Sequence, residues 1–364
     1  MHQYDVIIVG GGGAGLLLAR ELGNKKHKVL VIDKNTNLLD FSFYTLASFI
    51  NLEKFNLTKN VVSENINKIW LHSKNFKTKI KCELYTLDKK AVHKELLEAI
   101  NTDFVDFKLG IQIKEIVEEN KLFTTVKDKN NNSYSAKIFV DATGTAGVLS
   151  KQLGLRDKQN KLATGVEYNA KYLGKPDQIY LLLGKTYKGG YGWIFPLKNN
   201  RAIIGFGTTD NTLKKGLKRR LDEIVELPEI KKLIQLDSKK VEGGSIPITP
   251  VIEKFVLKNL VCVGDSVSQV NPIVGEGYKF IFESAVIASR AIDSALIEND
   301  ISLLNNYEKT WKNRFLSNYK RSKIRQEQIE KFSKSDLMID FGMLLSKLRS
   351  NKKNLESLSG EYEN

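Results

Sequence analysis

Tyr4-Asp-Val-Ile-Ile-Val-Gly-Gly-Gly-Gly-Ala-Gly15 decides the fold. Tyr4–Val9 is a near-continuous apolar run, as expected of a strand buried on both faces of a parallel sheet. Gly10, Gly12 and Gly15 satisfy G-x-G-x-x-G, a helical run Ala14–Leu22 follows and stops at Gly23, and a second strand runs Lys28–Asp33. The glycine spacing alone is a weak signal; between a strand and a helix, in one short unit, it is the context of dinucleotide binding. Gly10 permits the tight turn, Gly12 lets the backbone approach a pyrophosphate, and Gly15 lets helix and strand pack closely. The helix N-terminus offers free N–H groups and a positive dipole to phosphates. Asp33, 18 residues past Gly15, can accept hydrogen bonds from ribose hydroxyls.

Working outward, strand and helix patterns alternate, which argues an α/β class with a largely parallel sheet. Asp88–Ile100 carries Val92, Leu96, Leu97 and Ile100 at helical spacing. Short strands from Phe104 to Ile138, with a turn at Asn130–Ser133, lead to strand Lys137–Asp141 and a short helix through Leu153. Ala163–Thr209 reads as one antiparallel sheet, with helix Leu213–Val225 laid against it. Strand Leu260–Gly264 and a long helix Glu276–Leu296 follow, and everything after Ser302 reads as helix with a polar tail.

The 364 residues are 41% hydrophobic and 27% charged, which excludes a disordered or fibrous chain. No run approaches the roughly 18–20 apolar residues of a spanning helix, and no basic region with a signal-peptide core opens the sequence. Cys82 and Cys262 make neither a disulfide framework nor a zinc cluster, so a cytoplasmic protein with reduced thiols is expected. Lys and Arg number 57 against 42 acids, a net charge of +15 that favours polyanions such as anionic lipid. Lysine is scattered along the chain, however, and no zinc-finger spacing or aromatic-basic RNA motif occurs, so no nucleic acid partner is expected. His2, His27, His72 and His93 read as surface residues.

The far end of the chain separates NAD from FAD. Leu260-Val-Cys-Val-Gly-Asp265 is a strand ending in Gly-Asp, and Asn271-Pro-Ile-Val-Gly-Glu-Gly277 heads a long helix. Asp265 can bind a ribityl hydroxyl, and a second glycine-rich helix start can lie against a flavin, its dipole stabilising negative charge on the reduced ring. NAD domains need no such distant element. The alternative reading is that Asp265 merely caps a helix.

Gly10–Gly15, Asp33, Ala142-Thr-Gly144 and Gly264-Asp265, in this order, resemble the flavoprotein superfamily of aromatic hydroxylases, flavin halogenases, lycopene cyclases and geranylgeranyl reductases. Three segments are similar to the FAD-dependent geranylgeranyl reductase family: Glu83-Leu-Tyr-Thr-Leu-Asp-Lys89, Gly190-Tyr-Gly-Trp-Ile-Phe-Pro196 and Val261–Gly277. The resemblance covers roughly residues 4–330. It implies a Rossmann-like FAD-binding domain (1–40 with 87–160 and 250–300) interleaved with an antiparallel-sheet substrate domain (41–86 with 161–249), and a helical region 301–364. It also implies non-covalent FAD. Ala14 and Gly15 would meet the pyrophosphate, Asp33 the ribose, Lys89 the place of a family Arg, Ile113 the adenine, Asp265 the ribityl-phosphate portion, and Gly275, Gly277 and Tyr278 the isoalloxazine. The chain departs from the family at Leu38–Asn51, which lacks its Cys-Gly-Glu-Gly-like segment, and at Glu276, where the family usually has glycine.

Tyr191, Trp193 and Phe195 alternate and should share one strand face, either as an aromatic wall over the flavin or as filling between sheet and helix. Catalysis is expected to be reduction of C=C bonds in a long isoprenoid, with Glu276 and Trp193 as candidate catalytic residues; Glu276 is otherwise a helix N-terminal acid. The rivals are a monooxygenase or halogenase and a lycopene-cyclase-like non-redox flavoprotein. An external donor such as NAD(P)H or ferredoxin and an apolar isoprenoid or lipid substrate follow from the reductase reading. Lys309–Arg325 holds seven basic residues and no acidic one, interleaved with Trp311, Phe315, Leu316 and Tyr319. As a helix it lies on an anionic membrane, placing the protein peripherally on the inner face, or docks on the FAD-binding domain, or does both.

Overall fold

A computed structural model of the chain describes residues 3–44, 46–156, 161–248 and 252–362; His2 lies outside them. Strand Tyr4–Val9 is the axis of the first sheet, and Val6, Ile7 and Ile8 are wholly buried. It pairs in parallel with Val29–Asp33 on one side and Ser133–Asp141 on the other, Val9 standing opposite both Ile32 and Asp141. Val105–Leu109 and Leu260–Cys262 extend the parallel order outward. Asp141, at the end of its strand, accepts from the Thr143, Leu149 and Ser150 amides and so fixes the start of helix Val148–Gln152.

The first helix runs Gly13–Asn24, longer than the sequence pattern predicts. Gly23 lies inside it, because a Cβ there would stand 2.6 Å from Val105 Cγ2; the glycine serves packing and the chain turns at Lys26, with φ 65°. Gly10 has φ +108°, and a Cβ on it would fall on the Ala142 carbonyl. A Cβ on Gly15 would fall on the Gly10 carbonyl. Strand, loop and helix therefore meet backbone to backbone.

The second sheet contains Val62–His72, Lys77–Leu87, Leu162–Tyr172, Gln178–Leu182, Gly190–Leu197 and Arg201–Thr208, with shorter strands at its margins. It is not wholly antiparallel as the sequence suggests: Gln178–Leu182 pairs in parallel with Val62–His72, a strand from a distant part of the chain. The expected helix Leu213–Val225 is two pieces, Asn211–Lys214 and Leu217–Val225, broken at Gly216. Leu217, Leu221 and Ile224 pack against Tyr168, Ile194, Ile204 and Phe206, so the helical layer covers that sheet face. Tyr191, Trp193 and Phe195 occupy the other face, where they line the cavity and also pack in one cluster with Leu355 and Leu358 of the C-terminal helix.

The long helix starts at Tyr278, two residues past Glu276, and packs through Ala285, Ala288 and Ile292 into the core of the first sheet. The basic stretch after Ser302 is helical, but Trp311, Phe315 and Tyr319 are buried in that same core, with Trp311 Nε1 donating to Ser284 Oγ at 2.9 Å. Its apolar residues Trp311, Phe315 and Tyr319 are thus taken by the protein, as the docking alternative for Lys309–Arg325 expects. Helices Asp336–Leu348 and Asn351–Ser359 follow. No helix among the described residues is long and apolar enough to cross a membrane.

Gly15→Ala is expected to destabilise the protein by at least about 2 kcal/mol, since the added methyl meets backbone that has nowhere to go. Thermal unfolding of the variant beside the parent measures it, and an unchanged midpoint would contradict the close approach.

Candidate flavin and substrate cavity

A single cavity of about 580 Å³ runs from the glycine loop to the aromatic strand of the second sheet, a size typical of small-molecule sites. Gly10, Gly12, Ala14, Asp33, Lys89, Ile113, Asp265, Gly275, Glu276, Gly277, Tyr278, Tyr191, Trp193 and Phe195 all line it. Gly15 does not: it sits behind the loop as the packing glycine, rather than at the wall where a pyrophosphate contact would be.

At the nucleotide end, a Cβ on Gly12 would meet nothing within 4 Å, so the loop presents bare backbone to open space. Asp33 accepts from the Gly11 amide at 2.7 Å and the Asn35 amide at 2.8 Å, which ties the loop to the end of the second strand while its carboxylate stays at the cavity edge. Burial raises the Asp265 carboxyl to about 6 against the pull of Arg156 and Lys89. Burial likewise lowers Lys89 to about 8, opposed by Glu167 and Asp265. The Lys89 ammonium lies 4.0 Å from the Phe43 ring centroid, 4.6 Å from that of Phe41, and donates to the Phe43 carbonyl at 3.2 Å.

At the sheet end, Trp193 lies flat on glycine. It stands opposite Gly205 in the strand pairing, and a Cβ on Gly205 would fall on the indole. Cβ atoms on Gly165 and Gly207 would stand 2.9 and 3.2 Å from the same ring. Three glycines on two neighbouring strands thus make a floor for one aromatic plate, which stacks with Phe195 at 27° and meets Tyr191 edge-on. Tyr191 donates to the Val274 carbonyl and joins this wall to the loop Asn271–Gly277. That loop is closed by the Asn271 amide donating to the Glu276 carbonyl at 2.8 Å, with Gly275 in the left-handed region at φ +68°.

Glu276 is not a helix N-terminal acid. It lies before the helix, 5% exposed, and its Oε1 accepts from Ser48 Oγ at 2.5 Å and the Phe49 amide at 2.8 Å. Its Oε2 is buried with no partner among the described residues. Burial raises this carboxyl to about 7, and the Ser48 hydrogen bond is the largest opposing effect. Ser48 and Phe49 belong to the stretch that lacks the family cysteine.

His93 is a correction to the sequence reading, and His27 and His72 are half-buried rather than exposed. His93 is 2% exposed, lines the cavity, and places Nε2 2.7 Å from the Tyr278 hydroxyl. Burial, with Lys89 second, lowers it to about 3, so it is a neutral imidazole. The signal was available: His93 lies between Val92 and Leu96 on the apolar side of its helix.

The nucleotide end fits FAD, because bare backbone at Gly12, the Asp33 carboxylate and the buried Asp265 lie along one wall. Fold and cavity define an FAD-dependent oxidoreductase. The chain belongs to the family described as lycopene cyclase protein, whose model matches residues 5–325. It is similar to digeranylgeranylglycerophospholipid reductase 1 of Methanococcoides burtonii, 25% identical over 358 residues that cover 92% of this chain and 86% of the relative. It is similar to the corresponding reductase of Methanococcus aeolicus, 26% identical over 352 residues covering 92% and 88%. Its fold is shared with a geranylgeranyl bacteriochlorophyll reductase-like structure from Thermoplasma acidophilum, with TM-score 0.85 and 22% identity across 100% of this chain and 97% of the other.

Gly12→Val is expected to fold with little change in melting temperature, since a Cβ there has no protein atom within 4 Å, yet to lose FAD. Flavin absorbance after gel filtration checks this; full retention would overturn the assignment of the loop. Gly205→Ala is expected to displace the Trp193 ring, seen as a change in tryptophan emission, with FAD retained.

Proposed function

We propose that the protein reduces C=C bonds of a long isoprenoid chain. The observation that carries this reading is the wall at the sheet end: an indole laid flat on Gly165, Gly205 and Gly207, flanked by Tyr191 and Phe195, in a cavity that the buried Glu276 also lines. A flat aromatic plate suits a planar alkene better than a sugar or a carboxylate. The relatives' names as reductases of a geranylgeranyl lipid support it.

In this reading residues 1–40, 87–160 and 250–300 hold FAD and 41–86 with 161–249 hold the isoprenoid. Ala14 and Gly12 face the pyrophosphate, Asp33 the ribose, Ile113 the adenine, and Asp265 with Lys89 the ribityl-phosphate portion; Gly275, Gly277 and Tyr278 adjoin the isoalloxazine. FAD held by these residues would, when reduced, provide the hydride chemistry needed at one alkene carbon. Glu276 gives its proton to the other carbon and regains one from water. Ser48 Oγ and the Phe49 amide hold Oε1, which leaves Oε2 as the donor atom. Trp193 orients the alkene, and excluded water keeps the acid protonated near neutrality. An electron donor of the NAD(P)H or ferredoxin class restores the flavin, and the work is done on the cytoplasmic side of the membrane that holds the lipid.

A second reading is favoured by the family's description as lycopene cyclase protein: the same acid protonates an alkene and a ring closes without net reduction. Product mass separates the two. Dithionite-reduced protein given a geranylgeranyl lipid without air is expected to add two hydrogens per double bond; unchanged mass favours cyclisation, and dependence on oxygen a monooxygenase.

Glu276→Gln is expected to lower the rate about 100-fold with FAD retained. The parent's rate should fall as pH rises through about 7, because the donor is the protonated acid, and the variant should lack that limb. Trp193→Ala should slow the same step more than it weakens FAD binding.

A further inference from the structure

Helix Asp336–Leu348 carries its apolar face outward. Leu337, Met338, Phe341, Leu344, Leu345 and Leu348 are 79, 42, 57, 45, 46 and 80% exposed. Their spacing at i, i+1, i+4, i+7, i+8 and i+11 sets them on one face roughly 120° wide at about 100° per residue. Among the described residues twelve large hydrophobic side chains are exposed, and six of them lie in this one helix. Scattered exposed apolar residues need no explanation, whereas a contiguous patch marks an interaction surface.

The inward face fixes that orientation. Ile339 and Met343 are buried, and Asp340, 5% exposed, accepts from Ser73 Oγ at 2.5 Å and Asn75 Nδ2 at 2.6 Å. Asp336 accepts from the Lys185 amide at 2.7 Å. Both acids of the segment are thus turned to the protein. Lys347 in this helix, and Lys331, Lys334, Arg349, Lys352 and Lys353 in the segments on either side of it in sequence, are exposed. The preceding helix Ser317–Phe332 lends Gln326, Ile329 and Glu330 to the cavity wall, and the following one, Asn351–Ser359, lends Leu358.

We propose that helix 336–348 lies in the headgroup layer of an anionic bilayer and holds the cavity against it, so that an isoprenoid tail reaches the Trp193 wall without crossing water. An exposed apolar face in a segment rich in exposed cations, with both acids of its helix hydrogen-bonded to the protein, is the complement of such a surface. A second copy of this chain would bring like charge against like charge. The purpose assigned to the contact rests on the isoprenoid reading; the contact itself is measured without turnover, so either can fail alone.

The test uses the FAD-loaded full chain sedimented with vesicles of phosphatidylcholine alone or mixed with phosphatidylglycerol, at low and high salt. The parent is expected to pellet with the mixed vesicles and less so at high salt. The triple variant Leu337→Ser, Phe341→Ser and Leu348→Ser is expected to bind at least tenfold more weakly, with melting temperature and flavin content kept because these side chains project outward. In a separate variant, Phe341→Trp should blue-shift its emission on addition of mixed vesicles. No binding to either vesicle, binding that the triple variant leaves unchanged, or a dimer that the triple variant abolishes would overturn the proposal.

Discussion

Two backbone contacts set the molecule's frame: the carbonyl of Ala142 occupies the space a Cβ would need on Gly10, and the carbonyl of Gly10 occupies that space on Gly15. Three consecutive layers of chain therefore approach at a distance no side chain allows. The approach aims the start of helix Gly13–Asn24 at the cavity and leaves Gly12 facing open space. A phosphate-binding surface of this kind depends on exposed N–H groups and a dipole rather than on a charged side chain. The rest of the site is referred to that loop: Asp33 grips it through the Gly11 amide, and Asp141 at the end of the neighbouring strand organises the crossover beside it.

The cavity is lined from both sheets, and polar links join its two sides. Tyr191 to the Val274 carbonyl and Ser48 with the Phe49 amide to Glu276 tie the second sheet and its preceding loop to the segment Asn271–Gly277. Withdrawing a carboxyl from water raises its pKa, and two hydrogen bonds to the ionised form oppose this. At Glu276 burial prevails, which sets the group near neutrality. At Asp265 the nearby Arg156 and Lys89 cations limit the rise to about 6. Both carboxyls are thereby held well above the ordinary carboxylate range by their surroundings, a common arrangement at functional sites.

The C-terminal third divides its apolar side chains between two tasks. Trp311, Phe315 and Tyr319 enter the core of the first sheet, while Lys309, Arg314, Lys320 and Arg321 are left exposed. Farther on, Asp340 anchors its helix by hydrogen bonds to Ser73 and Asn75, which turns the leucines of that helix outward. A buried, hydrogen-bonded carboxylate holds a helix rotation that apolar burial alone would reverse.

Strand Tyr4–Val9, the glycine loop, Asp33, the Asp265 element and the alternating aromatics were legible as local pattern, because a fully buried strand, a glycine turn and a two-residue period each leave a signature in neighbouring residues. So were the α/β class and the likeness to flavoproteins. Helix rotation, strand partners and proton affinity depend on atoms far away in sequence, and there the sequence fell short. Gly23 looked like a helix end until Val105 was seen to need its missing Cβ. The parallel pairing of Gln178–Leu182 with Val62–His72 joins segments about a hundred residues apart. His93 carried a readable signal in its apolar neighbours, but its partner Tyr278 is 185 residues away. Glu276 stood in the sequence as an acid near a helix start; Ser48, 228 residues earlier, and the loss of water around it decided its chemistry. The sequence by itself determined the nucleotide loop and the class of fold, since these are written in local sterics. Tertiary structure alone decided that Glu276 and Asp265 are raised above the ordinary carboxylate range and which helix faces outward, since desolvation and packing are properties of the assembled surroundings.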